Sequence, residues 1–309
     1  MKIRYKYIFS KFISVLITVV GVSLIAFLIL HLSPGDPARI MLGQSATEEN
    51  LMAMRARLNL NRPLYIQYLS WIKNISRGDF GVSIRYNRPV IELISARMGI
   101  TLLLTGSGII ISFIGGLVTG VLSAIKRNTW IDYLCTFETM FWISVPSFWT
   151  GILLLYFFGL KLGWFPIQGM SGIRSLVLPA LSLGLGQQAW FAKPMRSEML
   201  DVINQDYIKA AKAKGVKNSL VIFKHALRNA LIPIVTMLAL RLPWIIGGSI
   251  VIEKVFDWNG MGTLLINSVF ARDFPVVQAI LLFISIAVIV ANLFADLLYS
   301  VIDPRIRVE

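Results

Sequence analysis

The chain has 309 residues, of which 56% are apolar and only 15% charged, with a mean hydropathy of +0.71. Ordinary globular chains are roughly 45–50% apolar and about 25% charged; with 30 Lys+Arg against 16 Asp+Glu, this composition reads as a membrane protein with cationic inner loops. One cysteine, Cys135, and two histidines, His31 and His225, exclude an internal disulfide framework and leave no Cys/His cluster for a structural metal.

A membrane helix needs about 20 mostly apolar residues. Phe12–Leu32 is the first such window. Lys2, Arg4, Lys6 and Lys11 precede it, as in a signal peptide, but its apolar run is long for one. Ser33-Pro34-Gly35-Asp36 stands where a cleavage site would be, so a retained helix is predicted. Residues 33–97 form an outer segment too long for a structureless connection. Ser45 and Glu48 have capping-box spacing, predicting a helix with Leu51, Met54 and Leu58 on one face, ended by Arg62-Pro63. Leu64–Ile75 is a second short helix with Tyr65, Leu69 and Ile72 on one face. Gly78-Asp79-Phe80-Gly81 is a turn, and Pro89 opens a third helix leading to span two. Such a cap either meets an external partner or shields a pore mouth.

Met98–Ile125 is the second window, Thr139–Leu160 the third and Ser175–Ala192 the fourth. The inner loop 193–228 follows. In it Asp206 is placed as N-cap of a helix Tyr207–Lys214, with Gly215 as its stop. Lys209, Lys212 and Lys214 suit the negative end of that helix. Leu220–Arg228 reads as a second short helix capped by Asn218 or Ser219. Its Leu220, Val221, Phe223 and Leu227 are more apolar surface than a solvated loop exposes. The hairpin is therefore a cytosolic docking surface or a basic loop on anionic headgroups. Asn229–Ile252 is the fifth span and Phe274–Ala295 the sixth.

Sixteen basic residues fall on the segments inside an N-in, C-in arrangement and four in the short outer loops. The segment after span one exceeds the length over which the positive-inside rule counts, so N-in, C-in is predicted. Charges within spans mark ion or substrate pathways. Glu138 and Asp296 lie near the inner ends of spans three and six and read as structural. Arg241 lies within span five, beside Pro243 and ahead of Gly247-Gly248. An arginine at a helix centre costs about 2.5–3.5 kcal/mol, so it faces protein or a water-filled cavity. It lines a substrate route and meets a carboxylate there, or pairs with a neighbouring helix or subunit. No P-loop and no H-E-x-x-H occurs, and neither histidine lies mid-span to serve a serine nucleophile. Nucleic-acid binding is disfavoured, because the basic residues follow topology and form no aromatic-interleaved stripe.

Asp206-Tyr207-Ile208-Lys209-Ala210-Ala211-Lys212-Ala213-Lys214-Gly215, then His225 to Pro233, resembles the EAA loop of ATP-binding-cassette importer permeases, most closely the dipeptide/oligopeptide/nickel family. Further matches run along the chain: Ser33 to Pro37, Gly78 to Gly81, Val145 to Trp149, Leu178 to Ala180, Arg272 to Val276 and Asp303 to Arg305. Lys209 replaces the motif's glutamate; of its later I-x-L-P only Leu227 agrees; and Asn259 replaces the proline of W-P-G-x-G at Trp258 to Gly262.

The resemblance implies an all-α membrane protein of six transmembrane helices. Residues 1–32 would be the cytoplasmic N-terminus and first span, 33–97 a small extracytoplasmic helical segment, and 98–309 a permease core containing the loop 193–228. It implies a bacterial or archaeal inner-membrane subunit that pairs with a second permease, docks two cytosolic ATPases and receives substrate from an extracytoplasmic binding protein. Tyr207, Ala210, Ala211, Lys214, Gly215 and Leu227 would couple to the ATPase, and Arg241, Gly247 and Gly248 would line the route. ATP and magnesium belong to the partner subunits; this chain is expected to be neither an enzyme nor a metal binder. The resemblance makes the expected cargo a di- or oligopeptide or a similar small polar nutrient, with nickel or a metal chelate as the alternative. An ion-coupled transporter predicts inverted repeats and paired intramembrane charges, and none is visible. A receptor or scaffold would not need Arg241 or the glycine- and proline-rich fifth span.

Overall fold

A computed structural model describes residues 5–32, 37–43, 46–57 and 60–302. Among them every regular element is helical, save one isolated antiparallel bridge between Val82 and Pro89. Expectations on Lys2, Arg4, Ser33 to Asp36, Ser45, Leu58 and Asp303 to Arg305 lie outside the described residues, as do the side chains of Pro243 and Asp296. The helices are α1 Tyr5–Leu32, α2 Pro37–Leu42, α3 Glu48–Arg57, α4 Leu64–Ser76, α5 Val90–Ile125, α6 Trp130–Ser144 and α7 Ser147–Leu154. They continue with α8 Ile173–Ile203, α9 Asp206–Ala213, α10 Asn218–Leu220, α11 Leu227–Val255, α12 Met261–Phe270 and α13 Phe274–Ile302. Val90–Ile125 and Phe274–Leu293 are each long and apolar enough to cross a membrane, and a bent pair, α6 with α7 and its extension, adds a third if it is one span.

Two compact units divide the chain, Met1–Gly99 with Leu264–Ile289, and Ile100–Thr263 with Val290–Arg307. In the first, Ser23 of α1 hydrogen-bonds the Tyr68 hydroxyl of α4 at 2.7 Å, and Phe27 packs on the rings of Tyr68 and Trp71. The inward face of α4 is thus Gln67, which is buried, with Tyr68 and Trp71 half-buried beside it. The expected face fails, since Tyr65 and Leu69 are exposed. Gln67 goes inside because its amide donates to the carbonyls of Arg62 (2.8 Å) and Leu60 (3.4 Å), satisfying the turn that precedes the helix. In α3, Thr47 caps: its hydroxyl accepts from the Asn50 amide at 3.3 Å. Asp273, fully buried just before α13, accepts from the Ser83 hydroxyl at 2.5 Å and from the amides of Ile84 and Arg85. That carboxylate ties down the turn at Ser83–Arg85, just after Gly78 and Gly81, which both adopt positive φ.

The third short helix expected at Pro89 is not separate from span two. Helix α5 begins at Val90 and runs unbroken for 36 residues, with the Pro89 carbonyl accepting the amides of Glu92 and Leu93. The third window does break. α6 and α7, which continues as a π-helical stretch Leu155–Lys161, meet at 102°. Pro146 lacks an N–H and pushes its predecessor out of the helical region; Val145 is extended at φ −94°, ψ 123°.

In the second unit α5 and α8 approach closely along a seam of small residues. A Cβ at Gly116 would lie 2.5 Å from the Cβ of Phe191 and 2.7 Å from the Gln188 carbonyl. At Gly120 it would lie 2.6 Å from the Ala192 carbonyl, and Gly184 faces Ile111 in the same way. Only glycine permits that spacing. Helix α8 runs eleven residues past the expected fourth span, to Ile203, carrying Pro179 and Pro194 inside it.

Candidate functional site: the α9 hairpin and the helices behind it

Helix α9, Asp206–Ala213, lies where a short helix ending at Gly215 was expected, with two corrections. Its N-cap is Gln205, not Asp206, which sits in the first turn and pairs with Lys209 at 2.9 Å. An acidic residue there is favourable to the helix N-terminus. The second expected helix is also not separate. α10 leads through a π-helical stretch Val221–Ala226 directly into α11, and its N-cap is Lys217, not Asn218 or Ser219.

The C-terminus of α9 closes as a Schellman motif. The Gly215 amide donates to the Lys212 carbonyl (3.0 Å) and the Val216 amide to the Ala211 carbonyl (3.3 Å). Gly215 has φ +78°, and nothing lies within 4 Å of where its Cβ would be. Backbone conformation, not space, therefore demands glycine at this position.

Ile208 anchors the hairpin. It is fully buried in a cluster with Met195 and Met199 of α8, Val221 and Ala226 of the π stretch, and Ala230 and Ile234 of α11; Val121 and Ala124 of α5 complete it. Asn229 adds a polar tie, its amide donating to the Tyr207 hydroxyl (2.8 Å) and the His225 carbonyl (2.9 Å). Tyr207, Ala210, Lys214 and Gly215 are exposed, whereas Ala211 and Leu227 turn inward onto this core. Leu220 and Phe223 stay 45% and 60% exposed, an apolar surface beside the cationic face of α9. A short helix with a basic outer face is thus fixed to the ends of three long ones.

The second set of expected residues lies along the contact of α8 with α11. The Arg241 guanidinium stacks on the Trp190 ring of α8, 3.5 Å from its centroid, a cation–π contact. Among the described residues it meets no carboxylate; its neighbour within the chain is this aromatic face. Gly248 gives room to Leu183, which also fills the space beside Gly108 of α5. Gly247 faces open space.

Three polar contacts escaped the sequence reading. Glu253, wholly buried near the end of α11, accepts from the Thr101 hydroxyl (2.5 Å) and the amides of Gly262 (2.7 Å) and Thr263 (3.1 Å). A Cβ at Gly260 would strike that carboxylate at 2.5 Å, so the glycine-x-glycine spacing after Glu253 was the available signal. Arg196 clasps Asp132 bidentately, its Nε at 3.0 Å and Nη2 at 2.8 Å. Glu138, expected near water or a basic neighbour, instead accepts from the Gln188 amide of α8. Its second oxygen is buried without a partner among the described residues.

Residues 116–308 match the family described as binding-protein-dependent transport system inner membrane component, and residues 4–105 match its N-terminal companion. The chain is 40% identical over 312 residues to the oligopeptide transport system permease protein AppB of Bacillus subtilis, covering 97% of this chain and 99% of that one. It is 41% identical over 301 residues to the glutathione transport system permease protein GsiC of Escherichia coli K12, covering 97% and 98%. Among solved structures, an inward-facing form of the MetNI methionine ABC transporter aligns with a TM-score of 0.59 at 20% identity, over 68% of this chain and 96% of that one. At that identity the likeness concerns the fold alone.

Proposed function

The chain belongs to the family of binding-protein-dependent transport system inner-membrane components, and from that premise we propose that it forms half of the translocation pathway of an ATP-driven importer of small peptides. A second, similar permease completes the pathway, two cytosolic ATPases bind ATP and magnesium, and an extracytoplasmic binding protein delivers the cargo. Relatives named for oligopeptides and glutathione favour a peptide cargo over nickel. The chain crosses the bacterial or archaeal membrane six times with both ends inside. Residues 33–97 form the outer helical segment, and 98–309 form the permease core.

One observation carries the coupling reading: Ile208 is buried against α8, α11 and α5 at once. A motor that grips Tyr207, Ala210 and Lys214 on the exposed side of α9 then moves these three helices together. The sequence has no P-loop, and in this reading the chain transmits work that its partners supply. Arg241 on Trp190, with Gly247 and Gly248 above it, lines the route.

Reconstitution into proteoliposomes with the partner subunits tests the proposal. Peptide uptake that requires ATP and every subunit is the expected result; uptake by this chain alone, or no flux with all subunits present, refutes it. Gly215→Glu separates coupling from folding. The carboxylate has open space but a strained backbone, so the subunit folds while hydrolysis proceeds without uptake. Wild-type coupling in that variant counts against the lever.

A further inference from the structure

Between the inner ends of α5, α6 and α8 lies an open cleft of about 490 Å³, within the roughly 300–1,000 Å³ range of small-molecule sites. Its lining is graded along the helices. Asn128, Asp132 and Arg196 stand at the end where α5 finishes and α6 begins, and Lys193 lies one turn before Arg196 on α8. Deeper along the same helices the walls carry no charge, with Thr119, Thr136 and Met140 among them.

The charge at the mouth is unbalanced. Asp132 is fully occupied: it receives the Arg196 fork, the Ser123 hydroxyl and the Asn128 amide. Arg196 keeps its Nη1 edge free of hydrogen bonds among the described residues. Lys193 is exposed, and its ammonium has no partner among those residues. The side chains of Lys126 and Arg127, on the adjoining turn, are exposed in the same way. Beside the cleft the outer face of α6 presents Trp130 and Tyr133, 73% and 68% exposed. Such rings settle at headgroup depth.

An uncharged wall running inward from a cationic mouth, rimmed by aromatic rings, is the shape of an anionic amphiphile. Basic pockets between membrane helices on the cytoplasmic side take acidic lipid headgroups. We propose that this cleft holds one anionic phospholipid of the inner leaflet. Its phosphate rests on Lys193 and the free edge of Arg196, and an acyl chain lies along the wall toward Met140. The Arg196–Asp132 pair is a positioning element, holding the guanidinium edge toward the mouth. The assignment to the inner leaflet rests on the N-in orientation proposed above.

Native mass spectrometry of the assembled transporter, released from nanodiscs with equal phosphatidylglycerol and phosphatidylcholine, tests this. The wild type is expected to retain phosphatidylglycerol in preference. Lys193→Gln with Lys126→Gln weakens retention about fivefold for each lysine neutralised, while Lys193→Arg preserves it. Cys135 lines the same cleft and is the chain's only cysteine. A fluorophore on it, in the full-length chain in nanodiscs, is expected to be quenched by spin-labelled phosphatidylglycerol and not by the phosphatidylcholine analogue. Equal retention of the two lipids, unchanged retention in the double variant, or a Cys135 crosslinker that captures a neighbouring subunit instead of lipid overturns the site. These readouts need no uptake, so the transport proposal and this one fail separately.

Discussion

Ile208→Ala is the substitution that isolates the lever. Ile208 is fully buried, and truncating such a residue to alanine costs about 2–5 kcal/mol once the cavity is included. Helix α9 has only eight residues, too few for stability on its own. Its remaining ties are the exposed Asn229–Tyr207 bond, worth roughly 0.5–1.5 kcal/mol, and the half-buried Ala211 and Val216. The loss therefore falls on the docking of α9, while α8 and α11 keep their packing against each other. At the lower bound of about 2 kcal/mol, opening of α9 becomes roughly 30-fold more frequent. Hydrogen exchange of the α9 amides, read against those of α8 in the same sample, measures this. The milder Ile208→Val, at about 0.5–1.5 kcal/mol, gives an intermediate acceleration. In proteoliposomes, uptake per ATP falls in the same order. Accelerated exchange with an undiminished ratio of uptake to hydrolysis would show that the motor does not work through this anchor.

Three further outcomes follow from the packing. Gly116→Ala places a Cβ 2.5 Å from Phe191 and lowers stability by about 1–3 kcal/mol. Gly106→Ala, with open space around it, gains up to about 1 kcal/mol of helix propensity, so thermal unfolding midpoints of the two move in opposite directions. Glu253→Ala strands the Thr101 hydroxyl and the amides of Gly262 and Thr263. At about 1–3 kcal/mol per orphaned donor, a stability loss of at least roughly 3 kcal/mol is expected, read as a lowered unfolding midpoint, and a neutral result refutes the latch. Arg241→Gln removes the cation from Trp190 and is expected to raise the KM for peptides with acidic side chains above that for neutral ones. Unchanged kinetics for every acidic peptide ends its pathway role.

The sequence revealed some of this architecture and hid the rest for identifiable reasons. Gly215 was readable because a positive-φ position after a lysine-rich turn leaves a local mark, and its neighbours complete the motif within five residues. The spans at Val90–Ile125 and Phe274–Leu293 were readable because charge is excluded from lipid. The break at Pro146 went unread because a search for uncharged windows ignores backbone donors, although Val145-Pro146 lay inside the window. The α4 face was misassigned because hydropathy places Leu69 inside and Gln67 outside; the carbonyls of Leu60 and Arg62 reverse that, and they act only once the turn has formed. Arg241 was found, but its partner was not. A cation in an apolar helix suggests a carboxylate, and Trp190 lies 51 positions earlier with no pattern linking the two. Glu253 was missed because its donors come from a helix residue 152 positions before it and from the first turn of α12 after it.

The wide turn at Val221–Ala226 gives the hairpin a reserve that a uniform helix would deny it. A π turn holds more residues than an α turn, so this stretch stores surplus chain where α10 joins α11. Val221 and Ala226 are buried in the same cluster as Ile208, so that surplus is clamped inside the core and not left loose. The junction is therefore a locked joint: α9 and the start of α11 are held as one piece, and releasing the extra residue requires opening the cluster that seats them both.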